Sequence, residues 1–201
     1  MKMKIFLGAL LTCLSMNTRT DVGTIVLRKY PNQVLVATGI RSGIIFGVAI
    51  SLNAENGLFP EMHAIEQEDI FVKHAYKIIP GYMDCNKLQN ISYKIYHKNP
   101  IYEMTDIIST IDKPITFVLA SQFPDWVNPE KENYILQELD QIKQHPLKNH
   151  TILIDYIYFG TIDIDSIKNK ILEINPRYKF RLEKGGHCYE EDNAVLAAYL
   201  E

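Results

Sequence analysis

Short apolar runs alternate along this chain with longer stretches in which apolar residues recur every three or four positions. The runs Val34–Val36, Met62–Glu66, Ile91–Tyr96, Ile115–Leu119 and Thr151–Ile154 predict strands. Between them the helical period predicts a helix over Ile44–Asn53, a second over about Asp69–Ile79, and a third with Ile101, Met104, Ile107, Ile108 and Ile111 on one face. A fourth runs from about Glu130 to His145, and a fifth carries Ile164, Ile167, Ile171 and Ile174 on one side. Pro80-Gly81, Pro146 and Asn175-Pro176 are helix stops, and Asp163 or Asp165 is the cap of the fifth helix. Such alternation is the pattern of a parallel sheet covered by helices on both faces. The tail departs from it. Tyr178–Leu182 and Ala194–Leu200 are strand candidates with no room for a helix between them, so they are expected as antiparallel neighbours at a sheet edge. The expected fold is α/β: a doubly wound, mostly parallel Rossmann-like sheet with an antiparallel C-terminal edge pair.

The first seventeen residues stand outside this pattern. Lys2 and Lys4 precede an apolar run from Ile5 to Leu14, followed by the small or polar Ser15 and Asn17, which is the layout of a secretory signal peptide. The run is well short of the ~20 residues that span a bilayer, so a stable transmembrane anchor is not expected. A buried amino-terminal helix or strand is the competing reading. The expected organisation is a signal peptide over 1–17 and one domain over 18–201, secreted or periplasmic if the signal is real and cytoplasmic otherwise. Without that segment, Cys85 and Cys188 remain as a pair that an oxidising compartment could bridge.

Composition narrows the function classes. Of 201 residues, 21 are basic and 24 acidic, a formal net charge of −3 with no block of like charges, so there is no electrostatic footprint for nucleic acid. The three cysteines lack the close Cys or His spacing of a zinc site.

In a doubly wound sheet, ligands bind outside the carboxyl ends of the strands. The first exit reads Ala37-Thr38-Gly39-Ile40-Arg41-Ser42-Gly43 and opens a helix, whose amino terminus presents free N–H groups; the glycines permit a sharp turn and a close ligand approach. The second exit ends on Glu66, whose carboxylate can accept from both hydroxyls of a ribose. A glycine turn that serves only the chain, and a solvated surface glutamate, are the competing readings. Asp155 is the carboxylate at the fourth and fifth exits. Phe123, Trp126 and Tyr134 read either as walls of an acceptor pocket or as a packed surface loop, and His187-Cys188 as a solvated loop.

The segments Val36–Gly43, Ala64–Glu66, Asp112–Leu119, Leu136–Ile142 and Thr151–Asp155 together resemble class I S-adenosylmethionine-dependent methyltransferases. More narrowly, the chain is similar to small FkbM-like and macrocin O-methyltransferase-like bacterial sequences over about Gln33 to Leu200. The resemblance implies S-adenosylmethionine as cofactor, with Thr38, Gly39 and Gly43 in the turn that accommodates its methionine part and Glu66 on its ribose. Asp155 matches an aspartate after the fifth strand and is the preferred acceptor of a proton, ahead of His97 and water. Several positions depart from the family's pattern. Ala37 stands where Glu or Asp is usual, His97-Lys98-Asn99 where a Gly-Asp-Ser-like segment is usual, Ala120 where Asp is usual, and Tyr156 where a second aspartate is usual. Ala120 and Tyr156 remove two oxygen ligands that a divalent cation would use, so no metal is expected and proximity must carry the reaction. Two readings of function follow: methyl transfer to a small or saccharide-like acceptor, or a non-catalytic descendant of the fold that serves as a secreted binding or interaction protein. A different nucleotide-using enzyme on the same sheet is a third.

Overall fold

The computed structural model describes residues 22–39, 44–86, 91–120, 134–155, 163–184 and 194–201. In chain order the elements are α1 (Val22–Lys29), β1 (Val34–Thr38), α2 (Ile44–Asn56), β2 (Glu61–Glu66), α3 (Asp69–Cys85), β3 (Ser92–His97), α4 (Pro100–Ile108), β4 (Ile115–Leu119), α5 (Tyr134–Gln144), β5 (Thr151–Asp155), α6 (Ile164–Ile174), β6 (Lys179–Lys184) and β7 (Ala194–Tyr199). The strands form one seven-stranded sheet in the order β3-β2-β1-β4-β5-β7-β6. The first five are parallel, and β7 runs antiparallel to both β5 and β6. The α/β class and the antiparallel C-terminal pair are therefore as the hydrophobic pattern predicts.

Alternation along the strands divides the core in two. Leu35, Ala37, Met62 and Ala64 point to the face covered by α1, α2 and α3. Val34, Val36, Ile65, Phe117, Ile152 and Ile154 point to the face covered by α4, α5 and α6. Each of the latter helices presents an apolar stripe, such as Met104, Ile107 and Ile108 on α4 or Ile167, Ile171 and Ile174 on α6. Helix α2 has no polar stripe over its first three turns, and Phe46, Val48, Ala49, Ile50 and Leu52 are all buried. An all-round apolar helix requires cover on every side, and α1 supplies part of it through Val26 and Leu27. The pattern of the sequence gives no expectation of α1. Gly47 lets α2 approach α3: a Cβ there would stand 3.0 Å from the Tyr82 ring.

Helix α3 corrects one boundary. Pro80-Gly81 does not stop it, and the helix continues to Cys85. Pro80 lies on the exposed face, where the carbonyl of Tyr76, deprived of its usual donor, can turn to water. Pro100, by contrast, stands at the first position of α4, where its missing N–H costs nothing, and Asn99 Oδ1 caps the helix by accepting from Ile101 N at 3.1 Å. Asp163 caps α6, accepting from Asp165 N at 3.0 Å. Among the described residues no helix is long and apolar enough to cross a membrane.

Beneath the sheet two buried histidines form a relay. The Ile115 amide donates to His150 Nδ1 at 3.1 Å, and His150 Nε2 lies 3.0 Å from His145 Nδ1. His145 Nε2 in turn reaches the carbonyls of Ile111 at 2.9 Å and Ile108 at 3.1 Å. An N–H donor at one end and carbonyls at the other leave Nδ1 of His150 as an acceptor and its Nε2 as the donor to His145. Burial, then the neighbouring His145, push the His150 pKa down to about 3. The unfolded chain, titrating near 6.5, takes up a proton that the fold refuses; stability is thus complete above that value and is lost as pH falls toward 3.

Two outcomes follow. Denaturant unfolding between pH 6.5 and 5, above the carboxylate range, should lose stability at up to about 1.4 kcal/mol per unit of pH, and His150→Asn should flatten that slope. Gly47→Val should lower stability by about 1–3 kcal/mol, with Tyr82→Ala relieving part of the loss in the double variant.

Candidate functional site

Strand order reverses between β1 and β4, since the crossovers from β1 lead through β2 to β3 on one side and the chain then returns to β4 on the other. The crevice of such a sheet opens at the carboxyl ends of these strands. Two hydrogen bonds bracket the end of β1. Thr38, fully buried, accepts from Ala120 N at its Oγ1 at 3.3 Å, tying β1 to the exit of β4. Gly39 N–H donates to Ile65 O at 3.0 Å, tying it to β2. Gly39 has φ +65°, a left-handed conformation that a residue without Cβ adopts at little cost.

The register sets Thr38 beside Ile65, so Gly39 ends next to Glu66. Glu66 is 3% exposed. Its Oε1 accepts from Glu68 N at 2.9 Å, just ahead of α3, where the helix dipole favours a negative charge. The loop that follows is fastened to β3: Lys98 N–H donates to Glu66 O at 3.1 Å, and His97 Nε2 lies 3.0 Å from Gln67 O. His97 is thus engaged in holding a backbone turn. The carboxylate and the glycine turn share one edge of the sheet.

Asp155 is the last residue of β5, paired with Val195 of β7. Two strand spacings separate its backbone from that of Thr38, roughly 10 Å. Gly43, Phe123, Trp126, Tyr156, His187 and Cys188 lie outside the described residues, while Tyr134 opens α5. Thr38, Gly39 and Glu66 are therefore brought together, and Asp155 sits at the same edge. Ala37 is wholly buried and faces the apolar cluster of α1, α2 and α3.

Where the end of α1 meets β6, the structure gathers polar residues to which the sequence pattern gave no pointer. Glu183 Oε1 receives Lys29 Nζ at 2.5 Å, Tyr30 Oη at 2.5 Å and Arg181 Nε at 3.3 Å. The hydrogen bonds to Lys29 and Tyr30 and the two cations hold the Glu183 carboxyl below its usual range, against the effect of burial. Burial and the Glu183 contact raise the Tyr30 phenol. Lys29 and Glu183 are 154 positions apart, too far for any local spacing to reveal.

No protein-family model matches the chain, and no curated protein matches it. Solved structures do. The methyltransferase domain of bacterial CtHen1-CN aligns over 90% of this chain and 97% of its own, with a TM-score of 0.55 and 10% identity. A TehB-like SAM-dependent methyltransferase from Corynebacterium glutamicum aligns over 98% and 97%, with a TM-score of 0.53 and 9% identity. Methyltransferase FkbM from Methylobacillus flagellatus reaches a TM-score of 0.59 and 18% identity over 84% of this chain and 44% of its own. At such identities the likeness concerns the fold: this is the Rossmann-like fold of class I S-adenosylmethionine-dependent methyltransferases.

Thr38→Val tests the bracket at the exit of β1. Removing the acceptor of the Ala120 amide without changing side-chain volume should cost about 1–2 kcal/mol, read by denaturant unfolding, and should speed hydrogen exchange at Ala120.

Proposed function

We propose that the chain binds S-adenosylmethionine across the carboxyl ends of β1 and β2 and transfers its methyl group to a small, saccharide-like acceptor. The observation that supports this reading best is the buried Glu66 carboxylate beside the left-handed Gly39 turn, at the point where strand order reverses. These residues fit the cofactor chemically. Glu66 would accept from the ribose hydroxyls, the segment with Thr38, Gly39 and Gly43 would admit the methionine part, and the first N–H groups of α2 would favour its carboxylate. The bound cofactor supplies an electrophilic methyl group on a sulfonium. Asp155 would take the acceptor's proton, and holding the acceptor in line would supply most of the rate without a metal.

Ala37 favours a second reading. A methyl group in an apolar cluster stands where the family resemblance expects a carboxylate, which suits a descendant that keeps the sheet but has lost transfer. Export through residues 1–17 belongs with that reading.

Calorimetry and thermal shift of the folded chain with S-adenosylmethionine and S-adenosylhomocysteine separate the two. The methyltransferase reading expects binding that Glu66→Ala abolishes and Gly39→Val weakens by at least about tenfold. A folded chain with neither heat nor shift at millimolar ligand overturns it and leaves the second.

A further inference from the structure

We propose that the amino edge of the sheet carries a second binding site, for a small organic anion whose charge is attached to a planar ring, as in an aryl phosphate or aryl carboxylate. It lies at the end of the strands opposite to Glu66 and does not depend on the methyl-donor reading.

A cleft of about 380 Å³ opens there, between the end of α1, the start of β5 and the C-terminal strands. That is within the range of small-molecule pockets, which run from roughly 300 to 1,000 Å³. Lys29 and Arg181 line it, together with the rings of Tyr30 and Tyr199. The ring centroids stand 5.1 Å apart at 38°, and Lys29 Nζ lies 5.3 Å from the centre of the Tyr30 ring. Asn32 and Thr151, joined by a 3.4 Å hydrogen bond, add polar groups to the lining. Neighbouring aromatic and cationic side chains thus share the lining.

Glu183 shows what this arrangement accepts. Three donors from different elements converge on a single carboxylate oxygen. Two cations face one carboxylate, so a positive charge is left over. Glu201, which follows Leu200 of the lining, is paired with Lys179. Arg181 engages Glu183 through Nε only, and its guanidinium carries four further N–H groups in a planar fork that matches carboxylate and phosphate oxygens. Arg181 and Lys29 keep 59% and 37% of their side-chain surface exposed, so an incoming anion can reach both. An aryl ring on that anion would add apolar contact with the lining tyrosines, chiefly Tyr199, which free phosphate cannot make.

The test uses the full chain, titrated by calorimetry and ligand-observed NMR with phenyl phosphate, benzoate and inorganic phosphate. Saturable binding of phenyl phosphate or benzoate is expected, with inorganic phosphate roughly tenfold weaker. Arg181→Gln and Lys29→Gln should each weaken the aryl anion by about tenfold, while Glu66→Ala leaves it unchanged. Thermal unfolding of each variant confirms that it is folded. No saturation by about 10 mM of either aryl anion, inorganic phosphate binding as tightly as phenyl phosphate, or folded Arg181→Gln with unchanged affinity would each overturn the proposal.

Discussion

Burial of β1 on both faces is the constraint from which the remainder of the molecule follows. All five of its side chains are buried, and it has a hydrogen-bonded neighbour on each side. Such a strand has no lateral surface on which to place chemistry. Whatever the sheet recognises must be met at a strand end, and the two ends have been equipped differently. At the carboxyl end the chain turns through Gly39 beside Glu66; at the amino end Lys29, Tyr30 and Asn32 stand at the mouth of a cleft.

The hydrophobic period was enough to read the order of strands and helices, because each element from β1 onward carries its own local signal. Glu66 and Gly39 were legible for the same reason: they follow directly on strands, and the register of a parallel pair brings consecutive strand ends together without further information. Features made by long-range convergence were not. The histidine relay joins residues five apart to a backbone amide and carbonyls more than thirty positions away. The Glu183 cluster joins α1 to β6. Pro80 misled in another way, since a proline signals a helix end by its chemistry, whereas its position on the exposed face decides whether the helix can absorb it.

The two polar regions also differ in what their residues do. At the carboxyl edge, Thr38, Glu66 and His97 each bond to a backbone group, and they fix the shape of loops. Where α1 meets β6, charged side chains bind one another, an arrangement that salt weakens and that a competing ion can enter. Ala37 sits close to this contrast. Its methyl group completes the packing of α2 on β1, so a carboxylate at this position would need the apolar cluster to open around it.

The position of β7 has a consequence for how the molecule assembles. β6 joins the sheet only through β7, although it precedes β7 in the chain. Until the segment from Ala194 to Tyr199 has been synthesised and docked against β5, β6 has no partner, and Arg181 and Glu183 have no fixed place beside Lys29. The cleft is therefore among the last features to form, and it forms by long-range pairing, the slow kind of contact in folding. The edge built from β1, β2 and β4 needs none of this, because those strands lie within the first 119 residues.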